Sequence, residues 1–533
     1  MIVIKTPKAR SPKARAAPTA RPRASSDAVS DADDDPRVEA RRRRHAQQSR
    51  RDKGHEARPS VDDPNWNKGP GTAGADPPQA LRRSVIEYVP IDDLKPDPRN
   101  ARKHSERQIE QIAASIRQFG FTGVIGIDEN NNILFGHGRW EAAKRAGKTH
   151  LPCHRISHLT AQGKIAVALG DNRLAEHSAW DEPNLTLKLE ELSASDLDFD
   201  LEITGFDTVD LDRRLGPEPD PRQTKVDGEG YSQDPDDRIP ALQDERPAIS
   251  QSGDLWTLRE HRLLHGDALD PRSYELLLGR EIVTQVVADS PYNVANHDHV
   301  SAKPFREFAV AHGELTSGEF VRFLARALSL AARAARDGAI LHVFMDWGHM
   351  RELLAAADDA SLIVKNLCVW TKPSPGMGSF YRSQHELVFV LKSGTGKHIN
   401  NFGLGARGRN RSNLWPYPAV RGVRRGVNDP DGGHPTVKPT SMIIDAIRDC
   451  SMRRDIVLDP FGGSGTTLIA AERVGRRARL IEIDAHYCDL IIRRWQVVTG
   501  GSAVRASDGR LFDEIAEAAR ARAGSHVREG GQR

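Results

Sequence analysis

Only four cysteines occur in 533 residues, Cys153, Cys368, Cys450 and Cys488, and no two stand at metal-ligand spacing. That excludes a disulfide framework and a zinc knuckle, leaving reduced thiols and no metal as the expectation. Long hydrophobic runs are missing too. No stretch approaches the roughly 20 apolar residues that cross a bilayer, and the N-terminus lacks the apolar core of a secretion signal. A cytoplasmic protein with no membrane partner is expected. A surplus of one charge is also absent, since 77 Lys and Arg stand against 74 Asp and Glu, a net +3. The sum says nothing of a polyanionic partner, but the charge is patchy, with basic clusters at residues 41–44, 50–53 and 407–425.

What remains is enough for several folded units. With domains usually of about 100 to 200 residues, the length allows three or four. A content of 38% hydrophobic and 28% charged residues is slightly polar for a globular chain, and the polarity is concentrated at the N-terminus. Residues 1–83 are rich in Arg, Ala, Pro, Ser and Asp without apolar periodicity. That is the composition of a disordered basic arm, either a solvated tail or one that grazes phosphates. Order is expected from Val85. Ile109, Ile112, Ala113, Ile116 and Phe119 recur at helical spacing and Gly120 supplies a stop, which predicts a helix over 106–119. A hairpin of 124–127 and 133–135 follows about the turn at 128–132, and Gly136-His137-Gly138-Arg139 opens a second helix over 140–146. After this domain, 84–170, residues 171–215 read as a helical extension and 216–250, rich in Pro, Asp, Gly, Gln and Arg, as a linker.

From 251 to 505 strand-like and helix-like runs alternate, predicting an α/β domain with a parallel sheet, and 506–533 reads as a C-terminal tail. Candidate strands are 282–288, 339–344, 362–370, 387–391, 456–458 and 479–483, with helices at 318–335 and 466–474. Two of the strands end in chemistry. After 456–458 come Asp459-Pro460-Phe461-Gly462-Gly463-Ser464-Gly465-Thr466, and about 20 residues past that turn Glu482 and Asp484 close the next strand. Glycines let a ligand approach the backbone, and a distal carboxylate can accept hydrogen bonds from both ribose hydroxyls. The Walker lysine is absent, so a nucleoside rather than a phosphate is the expected ligand. After 282–288 come Asp289-Ser290-Pro291-Tyr292. Here a carboxylate and carbonyls, in a turn stiffened by Pro291, can accept the two protons of an exocyclic amine, and Tyr292 offers a ring for stacking. The set suits a flipped-out adenine or cytosine.

Two resemblances follow from these motifs. Leu94-Lys95-Pro96, Asn100, Arg102, the 106–119 helix and Gly136-His137-Gly138-Arg139-Trp140-Glu141-Ala142-Ala143 resemble the N-terminal domain of ParB-type partition proteins, over roughly residues 84 to 160. The resemblance implies a small α+β fold shared with sulfiredoxin. It also implies a nucleotide partner, its phosphate at Gly136, Gly138 and Arg139, where a helix start welcomes an anion. The family's box is Gly-Glu-Arg-Arg. With its acidic and second basic residues missing here, a plain Gly-rich turn is the other reading.

The two strand-end tetrads, Asp289-Ser290-Pro291-Tyr292 and Asp459-Pro460-Phe461-Gly462 running on to Thr466, with Gly266-Asp267-Ala268-Leu269, His434-Pro435-Thr436-Val437-Lys438-Pro439 and Ile481-Glu482-Ile483-Asp484, resemble the motifs of S-adenosylmethionine-dependent DNA amino-methyltransferases. The catalytic motif precedes the cofactor motif, as in the permuted β group, and the likeness spans about 253–500. It implies a Rossmann-like sheet with helices on both faces. It further implies a site-specific enzyme of restriction-modification type acting on double-stranded DNA, encoded by a bacterium, phage or plasmid, with room for a homodimer. By the same resemblance Asp289, Ser290, Pro291 and Tyr292 hold the target amine and base. Asp459, Pro460, Phe461, Gly462, Gly463, Ser464, Gly465 and Thr466 line the cofactor's methionine and ribose, with Glu482 and Asp484 beside the ribose. Asp267 meets the adenine ring, or else merely caps a helix, and Thr436 and Lys438 flank the pocket.

The family's tetrad is Asp-Pro-Pro-Tyr for adenine, with Ser first in many cytosine enzymes. Asp289 therefore points to adenine N6, while Ser290 in place of proline leaves cytosine N4 open. Direct in-line attack needs no covalent enzyme intermediate. Where the family places target recognition, 395–433 carries Arg407, Arg409, Arg411, Arg421, Arg424 and Arg425 among Phe402, Trp415 and Tyr417, a set suited to phosphate contact and base reading. Trp370, Lys372, Tyr381, His385 and Glu386 match positions near the base pocket. The rival reading is a DNA-binding partition or regulatory protein whose methyltransferase half is vestigial.

Overall fold

The computed structural model describes residues 85–194, 197, 199–216, 232–240, 242, 246–294, 311–375, 380–405, 410–420 and 437–530. The expected basic arm lies outside them, as do Thr436, Arg407, Arg409, Arg421, Arg424 and Arg425. Fourteen strands and twelve α-helices occur among the described residues.

The first four strands, β1 (Ile86–Pro90), β2 (Ile125–Ile127), β3 (Ile133–Phe135) and β4 (His150–Arg155), form a sheet in the order β1-β4-β2-β3. Helix α1 (Glu106–Phe119) falls where the apolar period predicts it. The Ser105 hydroxyl accepts from the Gln108 N–H at its start, and Gly120, at φ 78°, stops it. Its buried stripe, Ile109, Ala113 and Ile116, packs with Ile125, Ile127, Leu151 and Ala142 of α2 (His137–Arg145). Three more helices follow, α3 (Ala161–Glu176), α4 (Glu182–Ala194) and α5 (Thr208–Leu215). Leu185, Leu189, Leu201 and Leu211 form a core of their own.

The second sheet has ten strands. These are β5 (Leu255–Leu258), β6 (His261–His265), β7 (Val283–Ala288), β8 (Ala335–Met345), β9 (Leu362–Thr371), β10 (His385–Ser393), β11 (Leu414–Pro416), β12 (Ile456–Asp459), β13 (Arg477–Glu482) and β14 (Val504–Arg505). Their order is β11-β9-β10-β8-β7-β12-β13-β6-β5-β14. The middle run β8-β7-β12-β13-β6 is parallel throughout. Alternate residues of one strand enter different cores, as a period of two requires. Val287 and Val457 join one cluster, with Met442, Ile443, Leu468, Ile491 and Trp495; Val286, Ala288, Ile456 and Leu458 join the other, with Leu277, Phe320, Leu324 and Leu353. Helices therefore cover both faces: α6 (Pro271–Leu278), α7 (Ser317–Ala334) and α8 (Met350–Asp359) on one, α9 (Thr440–Cys450), α10 (Thr466–Arg473) and α11 (Ala485–Thr499) on the other. No helix among the described residues is long and apolar enough to cross a membrane.

The sheet departs from the parallel expectation at both flanks, since β5 runs antiparallel to β6 and to β14. β10 lies between β8 and β9 and runs antiparallel to both. A helical crossover through α8 keeps β8 and β9 in one direction, whereas the connection from β9 back to β10 holds no helix among its described residues, which suits a reversal. At the other end, residues expected as a tail include α12 (Phe512–Gly530). Its Phe512 is fully buried, edge-on to Trp256 at 5.4 Å between ring centroids.

Candidate active site

Because β8, β7, β12, β13 and β6 are parallel neighbours, their C-terminal ends stand side by side. The antiparallel β10 brings its beginning to the same edge. Asp346, Asp289, Asp459, Glu482, Gly266 and Glu386 are thereby gathered around one cavity of about 510 Å³. This is where open α/β sheets place their ligands. Asp289, Ser290, Pro291 and Tyr292 all line it. So do Asp267, Lys438, Asp459, Pro460, Phe461, Gly462, Gly463, Ser464, Thr466, Glu482 and Asp484. Gly465 does not line the cavity; it serves the turn as the left-handed residue, φ 78°, at the start of α10. Phe323, Phe344, Asp346, Trp347 and Tyr487 add walls that no sequence motif marked.

At the end of β7 the first tetrad enters a charged network. The Lys438 ammonium, 4% exposed, donates to Asp289 Oδ2 at 2.7 Å and lies 3.4 Å from Glu386 Oε2. Lys372 donates to the other Glu386 oxygen at 2.6 Å. The Tyr292 hydroxyl sits 3.1 Å from both Asp289 Oδ1 and Glu386 Oε2. Burial works to raise the pKa of Glu386, but Lys438 and Lys372 outweigh it and hold that carboxyl at about 2. Asp289 goes the other way. Burial raises its pKa, the charge of Glu386 adds to the rise, and Lys438 offsets only part of it. Burial and the two carboxylates keep Tyr292 a neutral phenol. Ser290 is buried, and its hydroxyl has no partner among the described residues.

At the end of β12 the glycine-rich turn is tied down by its own backbone. Gly465 N–H donates to the Gly462 carbonyl at 2.8 Å, and Gly463 N–H donates to Glu482 Oε2 at 2.7 Å. A Cβ on Gly462 would stand 3.1 Å from Ile491 Cδ1, so the turn packs closely against α11. The other Glu482 oxygen accepts the Asp484 N–H at 2.8 Å. Asp459 accepts from Phe461 N–H at 3.0 Å and from the Thr467 hydroxyl at 2.6 Å. Asp267 accepts the Leu269 N–H at 2.8 Å, so it both shapes its turn and faces the cavity.

Burial raises Glu482 to about 7 and Asp459 to about 8, against the N–H and hydroxyl donors that favour their charged forms. For Glu482 the raised value contributes stability in full below its ordinary 4.5, and that contribution is lost as pH rises through about 7. Thermal melts should therefore show the native chain losing stability relative to Glu482→Gln between those two pH values. Parallel curves would contradict the assignment.

Other residues singled out in the sequence are placed differently. Arg411 is half-buried and spent internally. Its guanidinium donates to Asp445 Oδ2 and Asp449 Oδ2, both at 3.2 Å, and to the Tyr417 hydroxyl at 2.8 Å, over the Trp415 ring. Two buried carboxylates thus already hold the charge that was expected to meet a phosphate. Arg139 folds back to donate to the Val124 carbonyl at 2.9 Å. Gly136 takes φ 93° and Gly138 leaves room for His104, whose Cε1 would lie 2.8 Å from an added Cβ. A structural reason thus exists for each residue of that turn.

Residues 283–493 match the family model described as DNA methylase, 76–173 the ParB N-terminal domain, and 183–252 the ParB-methyltransferase HTH domain. The last of these spans residues that read as a helical extension and a linker. The chain is 42% identical over 79 residues, 15% of its length and 91% of the relative, to the ParB-like nuclease domain-containing protein YnaK of Escherichia coli (strain K12). It is 24% identical over 228 residues, 41% of its length and 82% of the relative, to the type II methyltransferase M2.MboI of Moraxella bovis. The crystal structure of an M1.HpyAVI-SAM complex aligns with 44% of this chain and 98% of its own at 21% identity and a TM-score of 0.32.

Proposed function

Because this chain belongs to the N6/N4 family of DNA methylases and carries a ParB N-terminal domain ahead of the methylase, we propose that it methylates N6 of adenine in double-stranded DNA, with S-adenosylmethionine as methyl donor. The observation that carries this reading is the meeting of both tetrads, from adjacent strands, around one cavity. The chemistry of the walls fits the donor. The Gly462 turn admits close approach, and Glu482, beside Asp484, offers acceptors to a ribose. Bound S-adenosylmethionine supplies an electrophilic methyl group on a sulfonium. An amine that took up this methyl group, leaving the sulfur as a neutral thioether, would shed one proton, for which Asp289 in the cavity wall would be the acceptor.

Asp289 is the acceptor suited to that amine, because its raised pKa makes it more basic than an exposed carboxylate. Lys438 holds the carboxylate in place from behind, and neutral Tyr292 braces it through the hydroxyl. Phe344 and Phe323 add apolar walls to the same cavity. Asp at the head of the tetrad supports adenine over cytosine. Incubating the full chain with duplex DNA and methyl-labelled S-adenosylmethionine, then digesting to nucleosides, should place the label in N6-methyladenine. Label in N4-methylcytosine would reassign the base, and no label on any duplex would overturn the reading.

A further inference from the structure

Residues 216–250 read as a linker, yet 232–238 are built into the wall behind the cavity. The Ser232 N–H donates to the Ala419 carbonyl at 2.8 Å, and the Asp236 carboxylate pairs with Arg473 at 2.6 Å. Buried Asp237 accepts the Thr440 N–H at 2.7 Å. It thus caps α9 from a distance, where the preceding Pro439 offers no side-chain cap. Lys438, the cation bound to Asp289, lies two residues before Thr440, so the cap also fixes where that side chain leaves the backbone.

A second attachment runs through Arg494 of α11, which is 1% exposed. One terminal nitrogen donates to the Ser464 carbonyl at 2.8 Å and the Thr466 hydroxyl at 3.1 Å. The other donates to the Asp236 carbonyl at 2.7 Å. These acceptors are carbonyl and hydroxyl oxygens rather than a carboxylate. Burial lowers the Arg494 pKa to about 10, with Asp237, Asp236 and Asp234 opposing, so it stays charged at neutral pH. A planar guanidinium offers its two terminal nitrogens to these sites in a fixed fork, a geometry that the single nitrogen of a lysine does not reproduce.

We propose that Arg494 is a positioning residue for the glycine-rich turn, and that segment 232–238 is the element that holds Arg494 in place. The turn then keeps its cofactor-binding shape only while the connection from the N-terminal half is docked. The inference rests on the cavity being the S-adenosylmethionine site. Gly463 and Gly465 sit at φ 51° and 78°, so the turn has left-handed residues on either side of Ser464, whose carbonyl Arg494 grips. Losing that grip frees the part of the loop with the greatest conformational choice.

Calorimetric titration of the full chain with S-adenosylmethionine tests this. If the native chain binds none, the functional reading fails before this one is reached. If it binds, Arg494→Lys should raise Kd about tenfold, the equivalent of one charge-assisted hydrogen bond, and Arg494→Met further. DNA affinity measured without cofactor should not change. Asp237→Ala should weaken cofactor binding in the same direction, and Asp237→Asn, which keeps an oxygen for Thr440, should restore it. Native-like Kd in a cooperatively melting Arg494→Lys chain overturns the proposal. So does parallel loss of cofactor and DNA affinity in step with Tm, the mark of a merely structural role. If Arg494→Lys does not fold, Asp237→Ala decides on the same readout.

Discussion

Replacing Asp289 by alanine should lower methyl transfer to DNA by about a thousandfold, the scale on which a single preorganised polar group at a reacting centre acts. Cofactor affinity should stay unchanged. The separation is expected because Asp289 closes β7, whereas the glycine-rich turn is held by Glu482 and Arg494 from other elements. Only 22% of the Asp289 side chain is exposed, and its two oxygens are fixed by Lys438 and Tyr292. Little reorganisation is then needed when an amine arrives. Asp289→Asn keeps the shape but can turn a donor toward the amine and lacks the basicity, so it should be nearly as slow. Single-turnover transfer, with calorimetry for the cofactor, reads both effects. An alanine variant within tenfold of the native rate would remove Asp289 from the chemistry.

Lys438→Met should be the most destabilising single change near the cavity. Two carboxylates, Asp289 and Glu386, share this buried ammonium. Glu386 retains Lys372, but Asp289 would keep only the Tyr292 hydroxyl. Breaking one side of a buried ion pair costs about 3 to 5 kcal/mol, and urea unfolding at neutral pH should show a loss of that order. The loss should shrink at acidic pH. Without Lys438 the Asp289 pKa rises further, and protonation removes the unpaired charge. Adding Asp289→Asn to Lys438→Met should recover much of the stability, since the two residues interact directly. Additive losses would show that the pair is not coupled.

The parts of this site that could be read in the sequence are those whose meaning is local. Asp289-Ser290-Pro291-Tyr292 and the glycine-rich turn each follow a buried strand, so a strand end and its turn residues lie together in the chain. Strand direction is not local. Apolar runs look alike whichever way they point, and the antiparallel course of β10 depended on the connection before it. Partnership is less local still. Arg411 looked like its neighbouring arginines until Asp445 and Asp449, 34 and 38 residues away, met it on a fully buried helix. Arg494 reaches Asp236 across 258 positions, and no motif marks either residue. A polar segment such as 232–238 has the composition of a linker even when its carboxylates cap a helix and pair with an arginine.

The central claim is that the two tetrads form one adenine-methylating centre. Sequencing with modified-base detection, applied to genomic DNA from a host expressing either the native chain or Asp289→Ala, tests it most directly. The account expects N6-methyladenine at one recurrent short sequence with the native chain and none with the variant. Unmodified DNA from both hosts, or methylation that persists with Asp289→Ala, would contradict it.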